Sequence, residues 1–116
     1  MKIVSVLNET TQSTVASHVG LANNPLLRLK GLMFTKELPD GHGLWITPCN
    51  SVHMFWMRFA LDAVFITKDG TIVHLQQNLK PWHLSPVIFK AHSVLEVPTG
   101  TIAAANLSLG QVLTQR

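Results

Sequence analysis

Four side chains have the type and placing to do chemistry: His53, Arg58, Asp62 and Glu96. Three of them lie in HMFWMRFALDAVFI, residues 53 to 66, a run otherwise made of groups that leave water. Arg58 and Asp62 stand four apart around Phe-Ala-Leu, about the length of a tight connection. In one reading they form a half-buried ion pair at a hairpin corner. Removing either partner alone would then strand a charge, at roughly 3–5 kcal/mol. In the other, Arg58 holds an anionic ligand, Asp62 orients it and Trp56 is an apolar wall. Glu96, in SVLEVP, alternates with Leu95 and Val97, and either points outward or meets a base such as Arg28 or Arg58. Acid–base catalysis needs two titratable groups in reach of one substrate. His53, Asp62 and Glu96 are the candidates, and no spacing in the sequence brings them together.

Other reactive groups give weaker signals. Cys49 is the only cysteine, so no internal disulfide forms, and it reads as an inert small hydrophobe. The six histidines (18, 42, 53, 74, 83 and 92) never stand two, three or four apart, and CxxC and HExxH are absent. No metal site is expected. No phosphate-binding glycine loop, dinucleotide fingerprint or GxSxG occurs, so no cofactor is expected either. His74 shares a strand face with Ile72 and Gln76 and reads as a surface residue.

These residues must be positioned by one domain, residues 1–116, since the chain has no room for a second core. Hydrophobic residues make up 47% and charged residues 13%, against about 25% charged on average. A disordered chain is excluded. So few charges leave apolar surface to be exposed or to meet a partner, and weak homo-oligomerisation is expected. The net charge of +3 comes from scattered Lys and Arg without a basic cluster, so nucleic acid is not an expected partner. No window reaches the ~18 apolar residues of a membrane span. The N-terminal MKIVSVLNETTQSTVAS lacks the apolar run of a signal peptide. As written the chain reads as cytoplasmic, and as exported if a leader has been removed.

Alternation and turn signals predict strands at 2–8, 13–21, 43–47, 52–57, 61–67, 71–77 and 93–97, with Val52 to Met57 apolar on both faces as in a buried strand. Lys68-Asp69-Gly70 predicts a hairpin turn. Asn24, followed by Pro25, predicts the start of the main helix, with Leu26, Leu29 and Met33 on one face and Lys30 at its rim. Residues 78–92 read as a loop on the body, TIAAAN as a short helix, and LSLGQVL as a turn and last strand. The fold class is α+β: a barrel-like or strongly curled, mostly antiparallel sheet with one main and one short helix. Trp56, Met57, Phe65, Leu95 and Val97 are expected in strands facing a single core.

Several of these residues also form a pattern. Arg28-x-x-Gly31-Leu32-Met33 is followed by Phe55-Trp56-Met57-Arg58, Leu61-Asp62 with Phe65, Asp69-Gly70, Lys80-Pro81-Trp82, Val94-Leu95-Glu96 and Gly100. This resembles the prokaryotic family catalogued as domain of unknown function 192, over roughly residues 15–113. The resemblance implies a compact, barrel-like α+β domain and no established activity. Many relatives carry an N-terminal leader, and none is expected in the sequence as written. The family's Gly-Asp near the C-terminus is Gly110-Gln111 here, and its proline before Leu-Asp is Ala60. A carboxylate at position 111 and a proline-set turn therefore do not carry over. Gly31 and Gly100 read as backbone requirements. Arg28, Met33, Trp56, Met57, Asp62 and Glu96 match the motif as core or pocket residues.

The expected function is a binding or accessory module for a small molecule or protein, with one apolar pocket or patch rimmed by Arg58 and Asp62. Its candidate ligand-binding residues are Arg28, Met33, Trp56, Arg58, Asp62 and Glu96. The alternatives are a small enzyme, with hydrolysis as its candidate reaction, using Asp62 with His53 or Glu96, and a structural oligomer subunit.

Overall fold

Seven strands among the described residues follow the predicted pattern closely. They are β1 (Ile3–Asn8), β2 (Ser13–Ala22), β3 (His42–Ile46), β4 (Leu61–Ile66), β5 (Ile72–Leu79), β6 (Ser93–Pro98) and β7 (Leu113–Gln115), with the short helix α1 (Thr101–Ala104) between β6 and β7. The computed structural model describes residues 1–24, 27–28, 32 and 36–116. Asn24 caps as predicted: its Oδ1 accepts the Leu27 N–H at 2.9 Å, and Arg28 N–H reaches the Asn24 carbonyl at 3.0 Å. The rest of the expected main helix, with Pro25, Leu26, Leu29, Lys30, Gly31 and Met33, lies outside the described residues. No helix among the described residues is long and apolar enough to cross a membrane.

The strands form one sheet in the order β5-β4-β6-β3-β2-β1-β7. Every pair is antiparallel except β2–β3. Register shifts in β1–β2 and β4–β5 bend the strands. The sheet curls until its edges meet: Thr71 bridges Val112, and Leu113 N–H donates to the Gly70 carbonyl at 2.8 Å. The Lys68-Asp69-Gly70 turn forms as expected, with Gly70 N–H on the Thr67 carbonyl and Gly70 at φ 95. A Cβ at Gly70 would stand 2.4 Å from the Leu113 carbonyl oxygen, so both conformation and space require glycine there.

The core is not single. Every strand and α1 contribute to the cluster inside the curl, which includes Val6, Val19, Trp45, Val64, Ile66, Leu95 and Val97. The opposite face of β4 and β6 builds another, with Leu61, Ala63, Phe65 and Val94 packed against Val52, Met54 and Met57. Phe65 is therefore separated from Leu95 and Val97 by the pleat, because central strands buried on both faces send alternate residues to different sides.

The predicted strand at 52–57 does not form. Apart from a bridge between His53 and Leu84, this segment is irregular, and Trp56 has a left-handed backbone (φ 64) that interrupts extended pairing. It lies beside the loop expected at 78–92. Ser85 N–H donates to the Val52 carbonyl, Met54 N–H to that of His83, and Trp82 N–H to that of Met54. Val52, Met54 and Met57 point into the core, whereas His53, Phe55 and Trp56 point out. The segment is apolar on both faces, as its sequence suggested, but only one face is covered. His74 also differs from expectation: it is half-buried, edge-on to Phe65 at 5.2 Å, because a register shift in β5 sets it opposite Phe65 on the face that the outer cluster covers.

Candidate functional site

Asp62 is a buried acid held by backbone donors from distant parts of the chain. Its neighbours Leu61 and Ala63 face the outer cluster, so the pleat sends Asp62 to the other side of β4. It is buried, and among the described residues three backbone N–H groups converge on it. Asn78 donates to Oδ1 at 2.9 Å, and Gly100 and Ile102 donate to Oδ2 at 3.1 and 3.0 Å. Gly100 is the N-cap of α1, at φ 90, and has no side chain with which to cap. Asp62 supplies that missing acceptor from a distant strand, where a negative charge also suits the positive end of the helix.

Arg58 is exposed beyond this strand, and the hairpin that would have set it against Asp62 is absent. The ion pair found among the described residues joins Arg116 to Glu9 at 3.7 Å. Arg58 and Asp62 therefore do not form the expected ion pair. The pleat turns one inward, and the irregular 52–60 segment leaves the other in solvent.

Glu96 points to the outer face of β6, between Leu44 of β3 and Ala63 of β4. It is buried, and that burial raises its carboxyl to about 7. Cys49 stands within electrostatic range. Burial raises the thiol first. The Ser51 carbonyl, which accepts from Sγ at 3.1 Å, opposes this; the Glu96 charge adds to it and Arg28 opposes it. The fold thus gathers Arg28, Cys49 and Glu96 electrostatically, a grouping that no local spacing foretold. A shallow, open depression of about 200 Å³ at Cys49 is lined by Pro48, Cys49, Asn50, Ala91 and His92. The thiol stays protonated near neutrality, which makes it a poor nucleophile. The carboxyl can exchange a proton there. His53 is away on the surface, stacked on Phe55.

The remaining feature is the outer face of the two apposed segments. His53 stacks on Phe55 at 5.2 Å between ring centroids, Phe55 meets Trp82 at 5.9 Å, and Trp82 meets Trp56 edge-on at 5.0 Å. Phe55 is 40% exposed, Trp56 54% and Trp82 55%. Leu84, bridged to His53, and Val87 and Phe89 further along are exposed as well. Trp82, like Trp56, has a positive φ (67). Sequence reasoning singled out Trp56 but missed Phe55, Trp82 and Leu84. The usable signal was the doubly apolar pattern of 52–57 beside a proline-rich loop that itself carries Trp, Leu, Val and Phe.

A family model described as DUF192, Uncharacterized ACR, matches residues 6–115. The chain belongs to the DUF192 family. A UPF0127 protein of Pyrococcus furiosus is 32% identical over 113 residues, covering 93% of this chain and 95% of that protein. A UPF0127 protein of Thermococcus kodakarensis is 27% identical over 115 residues, covering 94% and 71%. Among solved structures, a protein of unknown function from Novosphingobium aromaticivorans superposes with a TM-score of 0.81, covering 97% of this chain and 83% of that one. At 24% identity this is a likeness of fold. A protein of Sinorhizobium meliloti, provisionally described as a transcription regulator, gives a TM-score of 0.82 at 27% identity, covering 97% and 92%.

The DUF192 motif residues divide by environment. Asp62 and Gly100 form one hydrogen-bonded unit, Met57 and Phe65 are core, Glu96 is a buried acid, and Arg28 and Trp56 are exposed. Gly31 and Met33 lie outside the described residues. At the DUF192 Gly-Asp position, the Oε1 of Gln111 accepts the Ser108 N–H and Asn8 Nδ2, both at 2.9 Å. An amide oxygen thus does there what a carboxylate oxygen could also do, closing a turn.

Proposed function

We propose that this chain is a binding module whose contact surface is the outer face of the 50–58 and 80–89 segments, around Phe55, Trp56, Trp82 and Leu84. The observation that carries the reading is the run of touching, exposed rings from His53 through Phe55 and Trp82 to Trp56. Contiguous exposed apolar area of this kind is costly in water and marks a surface that meets a partner. Arg58 flanks this face, and the expected Asp62 rim is replaced by the rings themselves. Oxidative footprinting tests it. Trp56 and Trp82 should be protected when the chain is mixed with either the soluble or the membrane fraction of cells, with buried Trp45 as the internal reference. An unchanged footprint in both fractions would refute the reading.

Glu96 favours a second reading, a small proton-transferring enzyme. A buried carboxyl raised to about 7, within electrostatic range of Cys49 in the wall of an open depression, is suited to acid–base work. Of the acids first considered, Asp62 is committed to three N–H groups, which leaves Glu96. Turnover of a substrate that is lost in Glu96→Gln but kept in Trp82→Ser would favour this reading over the binding module.

A further inference from the structure

We infer that the partner of the aromatic face is the surface of a lipid bilayer carrying anionic headgroups. The inference rests on the contact surface proposed above and adds what occupies it.

Charge gives the first argument. The chain has no Asp or Glu between Asp40 and Asp62, and none between Asp69 and Glu96. Both segments that build the face therefore lack carboxylates. They do carry Arg58, Lys80 and Lys90, all exposed. Each cation lies within two residues of an exposed ring: Arg58 after Trp56, Lys80 before Trp82, and Lys90 after Phe89. An anionic partner is matched and a cationic one repelled. A second copy of this chain would bring the same cations against each other.

The kind of apolar group gives the second. Indole rings are favoured at the depth of lipid headgroups, with an apolar body and one polar N–H. Lys and Arg extend apolar stems beside them and keep their charge at the phosphates. Leu84, bridged to His53, adds an aliphatic group to the face at 64% exposure, and Val87 and Phe89 further along the same segment are 50% and 89% exposed. Stacking on single-stranded nucleic acid uses ring faces and would leave Leu84 and Val87 without a role. Acyl chains at the headgroup boundary accept aliphatic and aromatic side chains alike.

The backbone gives the third. Trp56 and Trp82 both have positive φ (64 and 67), a conformation uncommon for bulky residues and held only when the surroundings impose it. Here the Trp82 N–H is fixed on the Met54 carbonyl at 2.8 Å, so the two turns are tied together with their rings in contact. A preformed apolar tip pays little ordering entropy on insertion.

The test uses the full chain with vesicles of phosphatidylcholine alone, and of phosphatidylcholine with phosphatidylglycerol, followed by co-sedimentation and tryptophan emission. Binding is expected to the anionic vesicles only, with a blue shift from Trp56 and Trp82, since Trp45 is already buried. Salt should weaken it, and Lys80→Gln should lower the affinity about fivefold. Phe55→Ser with Trp82→Ser should abolish it. An unchanged unfolding midpoint will show that these exposed substitutions leave the fold intact, and if this double variant unfolds, Lys80→Gln carries the test. A wild-type chain that ignores anionic vesicles, or binds neutral ones equally, overturns the lipid inference. Footprint protection by the soluble fraction, binding of a single-stranded oligonucleotide, or self-association hidden by the double substitution would then keep the contact surface and reassign its partner. If no protection occurs anywhere, both readings fall.

Discussion

The Asp62 carboxylate accepts the N–H of Ile102 at 3.0 Å, across 40 residues of chain. With Gly100 and Asn78 as further donors, it ties β4 to the end of β5 and to the start of α1. Replacing Asp62 by Ala leaves buried N–H groups without an acceptor and should cost roughly 2–4 kcal/mol. Arg58→Ala, at an exposed position, should stay within about 0.5 kcal/mol. Because the two side chains share no partner, their effects should add in the double variant. Urea unfolding of the four proteins measures this. A coupling above about 1 kcal/mol would restore the ion-pair reading.

Glu96 makes a prediction with a definite sign. Its folded-state carboxyl titrates at about 7 against an ordinary value of 4.5, because burial disfavours the charge. Between those values the folded chain holds a proton that the unfolded chain has released. Stability from this group therefore falls as pH rises from 4.5 to 7, and the loss is complete above that range. The shift corresponds to roughly 3 kcal/mol. Glu96→Gln should flatten the pH dependence in this window and be more stable than wild type at pH 8. Unfolding midpoints at pH 5 and pH 8 test it, and equal pH slopes for the two proteins would refute it.

Cys49 should be alkylated slowly at pH 8. Burial raises the thiol, and the Glu96 charge raises it further. Removing that charge in Glu96→Gln should speed alkylation by iodoacetamide, while leaving it slower than that of an exposed cysteine, because the larger effect of burial remains. A rate in wild type equal to that of a free cysteine peptide would show that the thiol is not shielded.

Gly70 joins the hairpin turn to the closure of the sheet. With φ 95 and the Leu113 carbonyl oxygen 2.4 Å from the position of a Cβ, Gly70→Ala must shift either the turn or β7. A loss of roughly 2–4 kcal/mol is expected. Gly110→Ala is the control, since it has a similar φ of 88 but nothing within 4 Å of the added carbon. It should cost only the backbone strain, about 1 kcal/mol. Equal losses in urea unfolding would mean that closure against Leu113 contributes nothing.

Local features of the sequence determined most of the strands, the turn at Asp69-Gly70 and the cap at Asn24. Each depends on the pleat, on a side chain reaching its own backbone, or on a positive φ, and neighbouring residues settle these. Only the tertiary structure decided what the apolar run at 52–57 does. Alternation within a segment reveals two apolar faces but not whether both will be covered. The 80–92 segment lies alongside it, and β4 and β6 cover only its inner face. Asp62 looked like a partner for Arg58 because the two are four residues apart. Its actual donors are 16, 38 and 40 residues away and are brought close by the curl of the sheet. Glu96 likewise looked free to point outward, until Leu44 and Ala63 flanked it on the neighbouring strands. Burial and hydrogen-bond partners are long-range properties, and a period of two in one strand carries no information about what will be packed against it.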